Sequence, residues 1–389
     1  MVKAWSFVAA LFLLLLTVCG CFSANFICNV SIGPTQGIVI HGVKDCAYPG
    51  LVTLPDGNLL TAYVCPGGVF ITQLSTNEGA TWGSDSIVGF NGLPSLALLQ
   101  NGMLFLSTSV GDASGNGIPT YMIGSIGSGD IVTWSPPVSV STPAWSYGCW
   151  GYSPVVQLIN GNLLWPVWCY TDATQETGSS TVLLSTDGGV TWQKQVTVGN
   201  AITDGRDYDE SAAVVYPNGN IVMIMRHTNP GLTDKYGSYW RSMSNDGGNT
   251  WSAPTEALNS KYVGRPTLAL LPSGGLVLLS RAQVAGDSET GFGTSWDEGH
   301  TFSGFSSLGV GDPGTDNYDA MSLLPNGSIG VVTIHSITGG IIQNIDYRNL
   351  VDHCSSSMET SKQASCSRSS RLNSKEEEDS GAAPSAPAA

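Results

Sequence analysis

The octapeptide STDGGVTW at residues 185–192 returns three more times along the chain with small changes. The other copies are STNEGATW at 75–82, SNDGGNTW at 244–251 and SWDEGHTF at 295–302, and a degenerate copy ends at Val132-Thr133-Trp134. The pattern predicts a hairpin turn, because an acidic or amide side chain caps turn amides, glycine adopts unusual backbone angles and the aromatic ring packs inward. Four copies at regular spacing indicate a repeated structural unit.

A second repeat supplies the strands of each unit. Six segments consist of an apolar run, a polar turn and another apolar run, with turn glycines at positions 57, 102, 161, 219, 274 and 327. The turn dipeptides Asp-Gly, Asn-Gly and Ser-Gly tolerate the positive φ angles that two-residue hairpins need. Each unit spans about 45–60 residues, the length of one four-stranded propeller blade. The sequence therefore predicts an all-β fold, a six-bladed β-propeller of four-stranded antiparallel blades.

Composition and the chain ends narrow the function classes. The net charge is −15 and no basic cluster stands out, so we expect no nucleic-acid partner. Lys3 followed by an apolar stretch from 4 to 18 predicts a signal peptide over 1–24, hence secretion to the extracellular space. Residues 25–354 form the propeller, and the acidic Ser-, Ala- and Pro-rich tail 355–389 is predicted to be disordered. We expect a monomer with no transmembrane segment, no cofactor and no metal site.

The cysteines fit the blade register. Cys65 and Cys169 both lie eight residues after a turn glycine, and Cys46 and Cys149 precede the first strands of the same two blades. Because the start of one hairpin strand neighbours the end of the next, we predict disulfides Cys46–Cys65 and Cys149–Cys169 in an oxidising compartment. Cys28 and Cys354 bracket the propeller and are predicted to tie its ends together. Unrelated buried thiols are the alternative.

The register also brings functional side chains together. The position just before each repeat motif is occupied by Tyr48, Leu93, Ser153, Glu210, Arg265 and Tyr318, and the position seven residues after each turn glycine by Val64, Ser109, Trp168, Arg226, Arg281 and Ile334. First strands line the axis of a propeller, so both rings of residues are expected at one mouth of the channel. Charged residues make up only 12% of the chain, which makes three arginines in these rings notable. The alternative is that the arginines pair with local acidic residues on loops.

These residue types suit one kind of chemistry. An arginine cluster binds a planar carboxylate through bidentate, charge-assisted hydrogen bonds. A tyrosine beside a glutamate can act as a nucleophile, with the glutamate accepting the phenolic proton. We therefore take Tyr318 and Glu210 as candidate catalytic residues. Arg226, Arg265, Arg281, Tyr48 and Trp168 are the candidate substrate-binding residues.

The octapeptides resemble the Asp-box, or BNR repeat, of the sialidase (neuraminidase) superfamily. In that family the boxes are structural and lie away from the active site. The segment from Asp209 to Arg226 resembles the family's segment with the catalytic Glu and one arginine of its triad. The segment from Asn317 to Val331 resembles that of the nucleophilic Tyr. The resemblance covers the chain from about residue 33 to 349 and implies a glycosidase that removes terminal sialic acid.

Three family positions differ in this sequence. Ala47 occupies the place of one triad arginine, the stretch 64–69 lacks the acid/base aspartate, and no arginine lies near Gly293. Asp45 is our nearest candidate for a replacement acid, with Asp112 and Asp287 as weaker ones.

Three functions are compatible with this pattern. They are a sialidase-like glycoside hydrolase, a non-catalytic glycan-binding propeller, and a propeller glycosidase for another sugar such as an arabinan or a uronic acid. The expected partner in all three is a glycan or glycoconjugate.

Overall fold

Six antiparallel sheets, each built around four strands, make up the computed structural model of the chain. The structure describes residues 26–33, 38–41, 46–90, 92–142, 144–174, 177–228, 236–261, 263–284, 287–308, 318–337 and 342–356. Residues Cys28–Cys354 form one compact unit. The segment predicted to be a signal peptide and most of the predicted tail fall outside the described residues, so the domain boundaries at 24 and 354 stay predictions.

The strands number twenty-seven in the described residues. In chain order they are β1 Phe26–Ile32, β2 Ile38–His41, β3 Ala47–Thr53, β4 Leu59–Cys65, β5 Val69–Ser75, β6 Ser86–Ile87, β7 Ser95–Leu98, β8 Leu104–Gly111, β9 Gly117–Ile126, β10 Val132–Trp134, β11 Val138–Ser139, β12 Cys149–Trp150, β13 Val156–Gln157, β14 Leu163–Tyr170, β15 Gly178–Ser185, β16 Lys194–Gly199, β17 Ser211–Val215, β18 Ile221–Thr228, β19 Tyr236–Ser244, β20 Thr255–Lys261, β21 Thr267–Leu270, β22 Leu276–Val284, β23 Asp287–Ser295, β24 Ser306–Ser307, β25 Ala320–Leu323, β26 Ile329–Ile337 and β27 Ile342–Ser356. One helix, α1, spans Ala201–Asp204 in this part of the chain, and a 3-10 turn spans Ser128–Asp130.

The sheets follow the chain as six blades. Blade 1 is β3–β6, blade 2 is β7–β11, blade 3 is β12–β16, blade 4 is β17–β20 and blade 5 is β21–β24. Blade 6 consists of β25–β27 and takes its outer strand, β1, from the start of the described chain, while β2 also pairs with β27. The predicted six-bladed propeller is therefore confirmed. The closing of the last blade by an N-terminal strand adds a long-range pairing to the predicted repeat.

The core lies between the blades. Six apolar clusters each combine residues of two neighbouring blades, and together they close the circle. Between blades 2 and 3, for example, the ring of Phe105 meets that of Trp165 edge-on at 5.9 Å, and both side chains are fully buried. Burying an aromatic or aliphatic side chain of this kind contributes about 1.5–3 kcal/mol. Apolar packing between sheets thus holds the blades together.

The octapeptide turns have the structural role that the sequence predicted. In blade 4 the buried Ser244 hydroxyl accepts a hydrogen bond from the amide of Gly248 at 2.8 Å. The Asp246 carboxylate accepts from the amide and the hydroxyl of Thr250, at 2.9 and 2.7 Å. The other three boxes repeat the bond from the glycine amide to the serine hydroxyl. A Cβ at Gly248 would lie 2.9 Å from Leu164 of blade 3, so the glycine also permits close packing between blades.

The six repeat turns correct one detail of the sequence prediction. All six turn glycines have positive φ, between 81° and 92°. In blade 1, however, Gly57 donates to the carbonyl of Leu54 and the Leu54 amide to that of Asn58, and the other five turns repeat this pattern. The loops are therefore three-residue turns with a glycine bulge, and the expected two-residue hairpins are wrong. The bulge adds local twist, which suits strongly twisted propeller blades.

Both predicted disulfides within the first and third blades are present. The S–S distances are 1.98 Å for Cys46–Cys65 and 2.05 Å for Cys149–Cys169. In blade 3 the bonded cysteines are directly opposite in the β12–β14 pair. The side chains of Cys28 and Cys354 lie outside the described residues, so their pairing stays a prediction.

First strands of the blades surround the centre of the molecule. Residues from the first strands of all six blades, with the segments just before them, line one central pocket, among them Pro49, Ser95, Pro154, Ala212, Arg265 and Asp319. The residue just before each first strand is thereby placed at one mouth of this channel.

Candidate functional site

Blade 4 positions a glutamate and an arginine in direct contact. Glu210 lies just before β17, and Arg226 lies opposite it on β18, where the Arg226 amide donates to the Glu210 carbonyl at 2.8 Å. The side chains form an ion pair, with 2.5 Å between Nη1 of Arg226 and Oε2 of Glu210. Glu210 is buried, and 15% of the Arg226 side chain is exposed. The hairpin register therefore fixes this pair.

Tyr318 reaches the same ion pair from blade 6. Its ring lies 5.1 Å from the guanidinium of Arg265 and 4.8 Å from the ring of Tyr48, and its phenol is in electrostatic contact with Glu210 and Arg226. Burial, and then the neighbouring Glu210 carboxylate, hold the pKa of the Tyr318 phenol well above its usual value, while Arg226 acts in the opposite direction. The phenol is therefore neutral at rest, and it can lose its proton only to a base already in contact with it.

Two further carboxyl groups adjoin the pair, and with Glu210 we call them the carboxylate cluster: Asp207, Asp209 and Glu210. Asp209 lies 3.8 Å from Nε of Arg226, and Asp207 is buried and accepts from the Gly178 amide at 2.6 Å. Burial raises the pKa of Asp209 well above its usual value. Arg226 acts in the opposite direction, and the like charges of Asp207 and Glu210 add to the rise. Asp209 and Glu210 together raise the pKa of Arg226, which stays protonated. The cluster thus combines a cation, Arg226, with an acid, Asp209, that loses its proton less readily than an ordinary aspartate.

The predicted arginine cluster does not form around one site. Arg265 is buried and donates to the backbone carbonyls of Tyr152 and Asp319, at 2.8 and 3.2 Å, with its guanidinium 5.1 Å from the Tyr318 ring centre. Arg281 is buried and donates to the carbonyl of Val263 at 3.2 Å. The register placed both residues at the expected ends of their strands. Their guanidiniums, however, donate to backbone carbonyls, whereas Arg226 is the arginine that contacts the carboxylate cluster among the residues that the structure describes.

Tyr48 and Trp168 line the same region from blades 1 and 3. The Tyr48 ring lies 4.8 Å from that of Tyr318, at 46°. Tyr48 has φ of 55°, a left-handed conformation that costs a non-glycine residue about 1–3 kcal/mol and that clusters at functional sites. Trp168 is half-buried and packs beside Tyr152, with ring centres 5.1 Å apart. Both residues are therefore in place as walls of the site.

Of the three candidate replacement acids, the structure describes the side chain of Asp112 alone. Asp45 and the side chain of Asp287 lie outside the described residues. Asp112 is exposed, and its carboxylate accepts from the Ser114 and Asn116 amides at 2.7 and 2.9 Å. These bonds lower its pKa, so it is a poor proton donor. Sequence reasoning missed Asp207 and Asp209, although three acids within four residues of a chain with few charges were a visible signal.

The described residues also bear on two further kinds of site, a metal-ligand cluster and a membrane-spanning helix. No group of three or more His, Cys, Asp or Glu side chains is arranged to hold a metal ion within this part of the chain. In the same described ranges, no helix has the length and apolar character to cross a membrane.

The model of the BNR repeat-like domain matches residues 68–331, about two thirds of the chain. The chain belongs to the BNR repeat-like domain family. The resemblance to Asp-box proteins is thereby confirmed, and the matched range contains Glu210, Arg226 and Tyr318. No protein of curated function matches this BNR repeat-like domain significantly in sequence.

Solved structures share the propeller at low identity. A Dyadobacter fermentans protein of unknown function is 17% identical with a TM-score of 0.68, and the alignment covers 82% of this chain and 98% of that one. A Penicillium chrysogenum α-L-arabinanase complexed with arabinobiose is 16% identical with a TM-score of 0.60, covering 81% and 98%. An intramolecular trans-sialidase from Ruminococcus gnavus is 15% identical with a TM-score of 0.58, covering 82% and 96%. These likenesses show the fold of the BNR repeat-like domain.

Proposed function

We propose that this protein is a secreted glycoside hydrolase that cleaves a terminal sugar from glycans. One observation carries the proposal: the Tyr318 phenol neighbours the Glu210 carboxylate, which is in turn paired with Arg226 at 2.5 Å. Glu210 can therefore act as the base that accepts the phenolic proton, and its ion pair with Arg226 holds the carboxylate in position. This is the arrangement that a tyrosine nucleophile needs.

The reaction proceeds in two displacements. In the first, Oη of Tyr318 forms a bond to the anomeric carbon, the phenolic proton passes to Glu210 and the bond to the leaving oxygen breaks. Asp209 gives its proton to that oxygen. In the second, the Asp209 carboxylate takes a proton from water, whose oxygen attacks the anomeric carbon. The bond to Tyr318 breaks, and Glu210 returns the proton to the phenol.

An acidic sugar such as sialic acid is the first candidate substrate. A neutral tyrosine suits an anomeric carbon that bears a carboxylate, because an anionic nucleophile would be repelled by it. Arg226 lies beside Tyr318 and offers the charge to hold that carboxylate. The Ruminococcus gnavus protein, a trans-sialidase in complex with oseltamivir carboxylate, shares the fold.

The buried arginines favour a second candidate, a neutral sugar such as arabinose. Arg265 and Arg281 are each 4% exposed and donate to backbone carbonyls, so neither is oriented to hold a substrate carboxylate. With a neutral sugar Glu210 itself would attack the anomeric carbon, and Tyr318 would position it. The Penicillium chrysogenum arabinanase shares the fold.

A panel of fluorogenic glycosides tests the proposal. We expect the purified protein to release 4-methylumbelliferone from an α-sialoside. Release from an α-L-arabinofuranoside alone would establish the second candidate. Binding on a glycan array without turnover of any glycoside would contradict the proposal and establish the non-catalytic glycan-binding alternative.

Replacing Asp209 with asparagine is expected to remove the proton donor. Because the pKa of Asp209 is raised, kcat/KM of the wild type should be high while the group is protonated and should fall as pH rises through that pKa. In Asp209→Asn this fall should disappear. The loss in kcat should be about 10²–10⁴-fold for a natural glycan and much smaller for a 4-nitrophenyl glycoside, whose leaving group needs no proton.

Asp112→Asn is the matched control, since it removes an exposed aspartate whose pKa is lowered. Its pH profile should coincide with that of the wild type. Equal losses on both leaving groups in Asp209→Asn would exclude proton donation and leave Asp209 a structural role.

A further inference from the structure

Four aromatic side chains form a connected surface on blade 3, and we call them the aromatic shelf: Trp150, Tyr152, Trp168 and Tyr170. Trp150 and Trp168 lie directly opposite in the β12–β14 pair, with rings 6.4 Å apart and inclined by 28°. Tyr152 lies 5.5 Å from Trp150 and 5.1 Å from Trp168. Tyr170 follows Trp168 by two residues on β14, so the two side chains lie on the same face of the strand. All four side chains remain half-buried.

The shelf is held rigidly. The neighbouring pair Cys149–Cys169 is disulfide-bonded, and because side chains alternate along a strand, the cysteines point into the core on the opposite face. A Cβ at Gly117 would lie 2.5 Å from the Trp150 ring, so this ring packs directly on the backbone of blade 2. Such rings lose little conformational freedom when a ligand binds.

One end of the shelf adjoins the carboxylate cluster. Tyr170 pairs directly with Gly178 in the β14–β15 ladder, and the Gly178 amide donates to the Asp207 carboxylate at 2.6 Å. A Cβ at Gly178 would lie 3.1 Å from the Trp168 ring and 3.5 Å from that carboxylate. Burial raises the pKa of Tyr152, and the neighbouring Glu210 and Tyr48 raise it further. The shelf therefore leads outward from the reacting groups.

We propose that the aromatic shelf binds a neutral hexopyranose ring, the unit of the glycan next to the bond that is cleaved. This inference rests on the proposed function, which places the reaction at the carboxylate cluster. The C–H face of a pyranose carries partial positive charge and fits the electron-rich face of an aromatic ring. At the inner end its hydroxyls can donate to carboxylates, which an alkyl chain or an apolar peptide cannot do. The shelf itself carries no charged side chain, which suits a neutral ring.

Lactose is the probe, because it supplies two neutral hexopyranose rings and no terminal group that the proposed reaction would cleave. We expect saturable quenching of tryptophan fluorescence in the wild type, with a dissociation constant in the millimolar range. Trp168→Ala should weaken binding by about tenfold or more. Trp296→Ala removes a tryptophan that is 44% exposed in the blade 5 octapeptide and should bind lactose like the wild type.

A measurement on the unmodified protein keeps the test independent of folding defects. In hydroxyl-radical footprinting, lactose should protect Trp150 and Trp168 and leave Trp296 unprotected. Absence of that protection, equal protection by the acyclic polyol mannitol, or wild-type affinity in a folded Trp168→Ala variant would overturn the proposal. Lactose binding requires no turnover. Lactose binding without hydrolysis of any glycoside would contradict the proposed function alone, and hydrolysis without lactose binding would contradict the proposal for the shelf alone.

Discussion

Replacing Tyr318 with phenylalanine is expected to lower kcat on an α-sialoside by about 10³-fold or more, because the variant has no oxygen to bond to the anomeric carbon. The fold should be unaffected. The phenyl ring keeps its position 5.1 Å from the Arg265 guanidinium and 4.8 Å from the ring of Tyr48. Loss of the hydroxyl group is expected to cost no more than about 1 kcal/mol of stability. Steady-state kinetics and urea denaturation measure the two effects separately.

Tyr63→Phe provides the matched control. Tyr63 is a fully buried phenol in blade 1 whose hydroxyl bonds to Asp85 at 3.4 Å, in a contact separate from the carboxylate cluster. Its loss should leave kcat unchanged. A Tyr318→Phe variant with more than about a tenth of wild-type kcat would contradict a covalent role for the phenol.

A trapped intermediate identifies the nucleophile directly. A fluorinated sugar with a good leaving group forms the covalent adduct but hydrolyses it slowly, and peptide mass spectrometry locates the labelled residue. We expect the label on Tyr318. A label on Glu210 would instead support the neutral-sugar candidate, in which Tyr318 only positions the carboxylate.

The fold could be predicted because it is encoded locally and repeated. Each octapeptide and each turn glycine encodes a hairpin within its own blade, and the same register fixed the disulfide pairs Cys46–Cys65 and Cys149–Cys169. The pairing of β1 with β27 is different, since it joins strands more than 300 residues apart. No local pattern reports such a partner. The closing of blade 6 therefore had to come from the structure.

The site was predicted as far as backbone register determines it. Register placed Glu210 opposite Arg226 and brought Tyr318 to the same mouth. Backbone register could not determine the position of the guanidinium at the end of a long arginine side chain. That depends on acceptors supplied by other blades, such as the carbonyls of Tyr152 and Asp319 that Arg265 reaches. Asp209 was not predicted, because the resemblance places the acid after the second strand of blade 1, whereas Asp209 precedes the first strand of blade 4.

Replacing Arg265 with methionine is expected to destabilise the propeller by about 3–5 kcal/mol. The guanidinium joins three blades, since Arg265 itself belongs to blade 5 and its two acceptors precede strands of blades 3 and 6. Methionine fills a similar volume but removes two charge-assisted hydrogen bonds, each worth about 1.5–3 kcal/mol. The Ser95 and Thr267 hydroxyls still donate to the two carbonyls. It also removes a charge that lowers the pKa of the buried Asp319, which burial raises to about 6. Urea denaturation followed by tryptophan fluorescence measures the change.

Arg206→Met is the control that separates structure from substrate binding. Arg206 also lies over an aromatic ring, 4.6 Å from the centre of Trp240, but it is exposed, so its loss should cost less than about 1 kcal/mol. If Arg265 instead held a substrate carboxylate, Arg265→Met would unfold at the wild-type urea concentration and raise KM for the sialoside alone. That outcome would restore the arginine cluster that the sequence predicted. A large loss of stability would confirm that this buried arginine serves the scaffold and leave Arg226 as the cation available to the substrate.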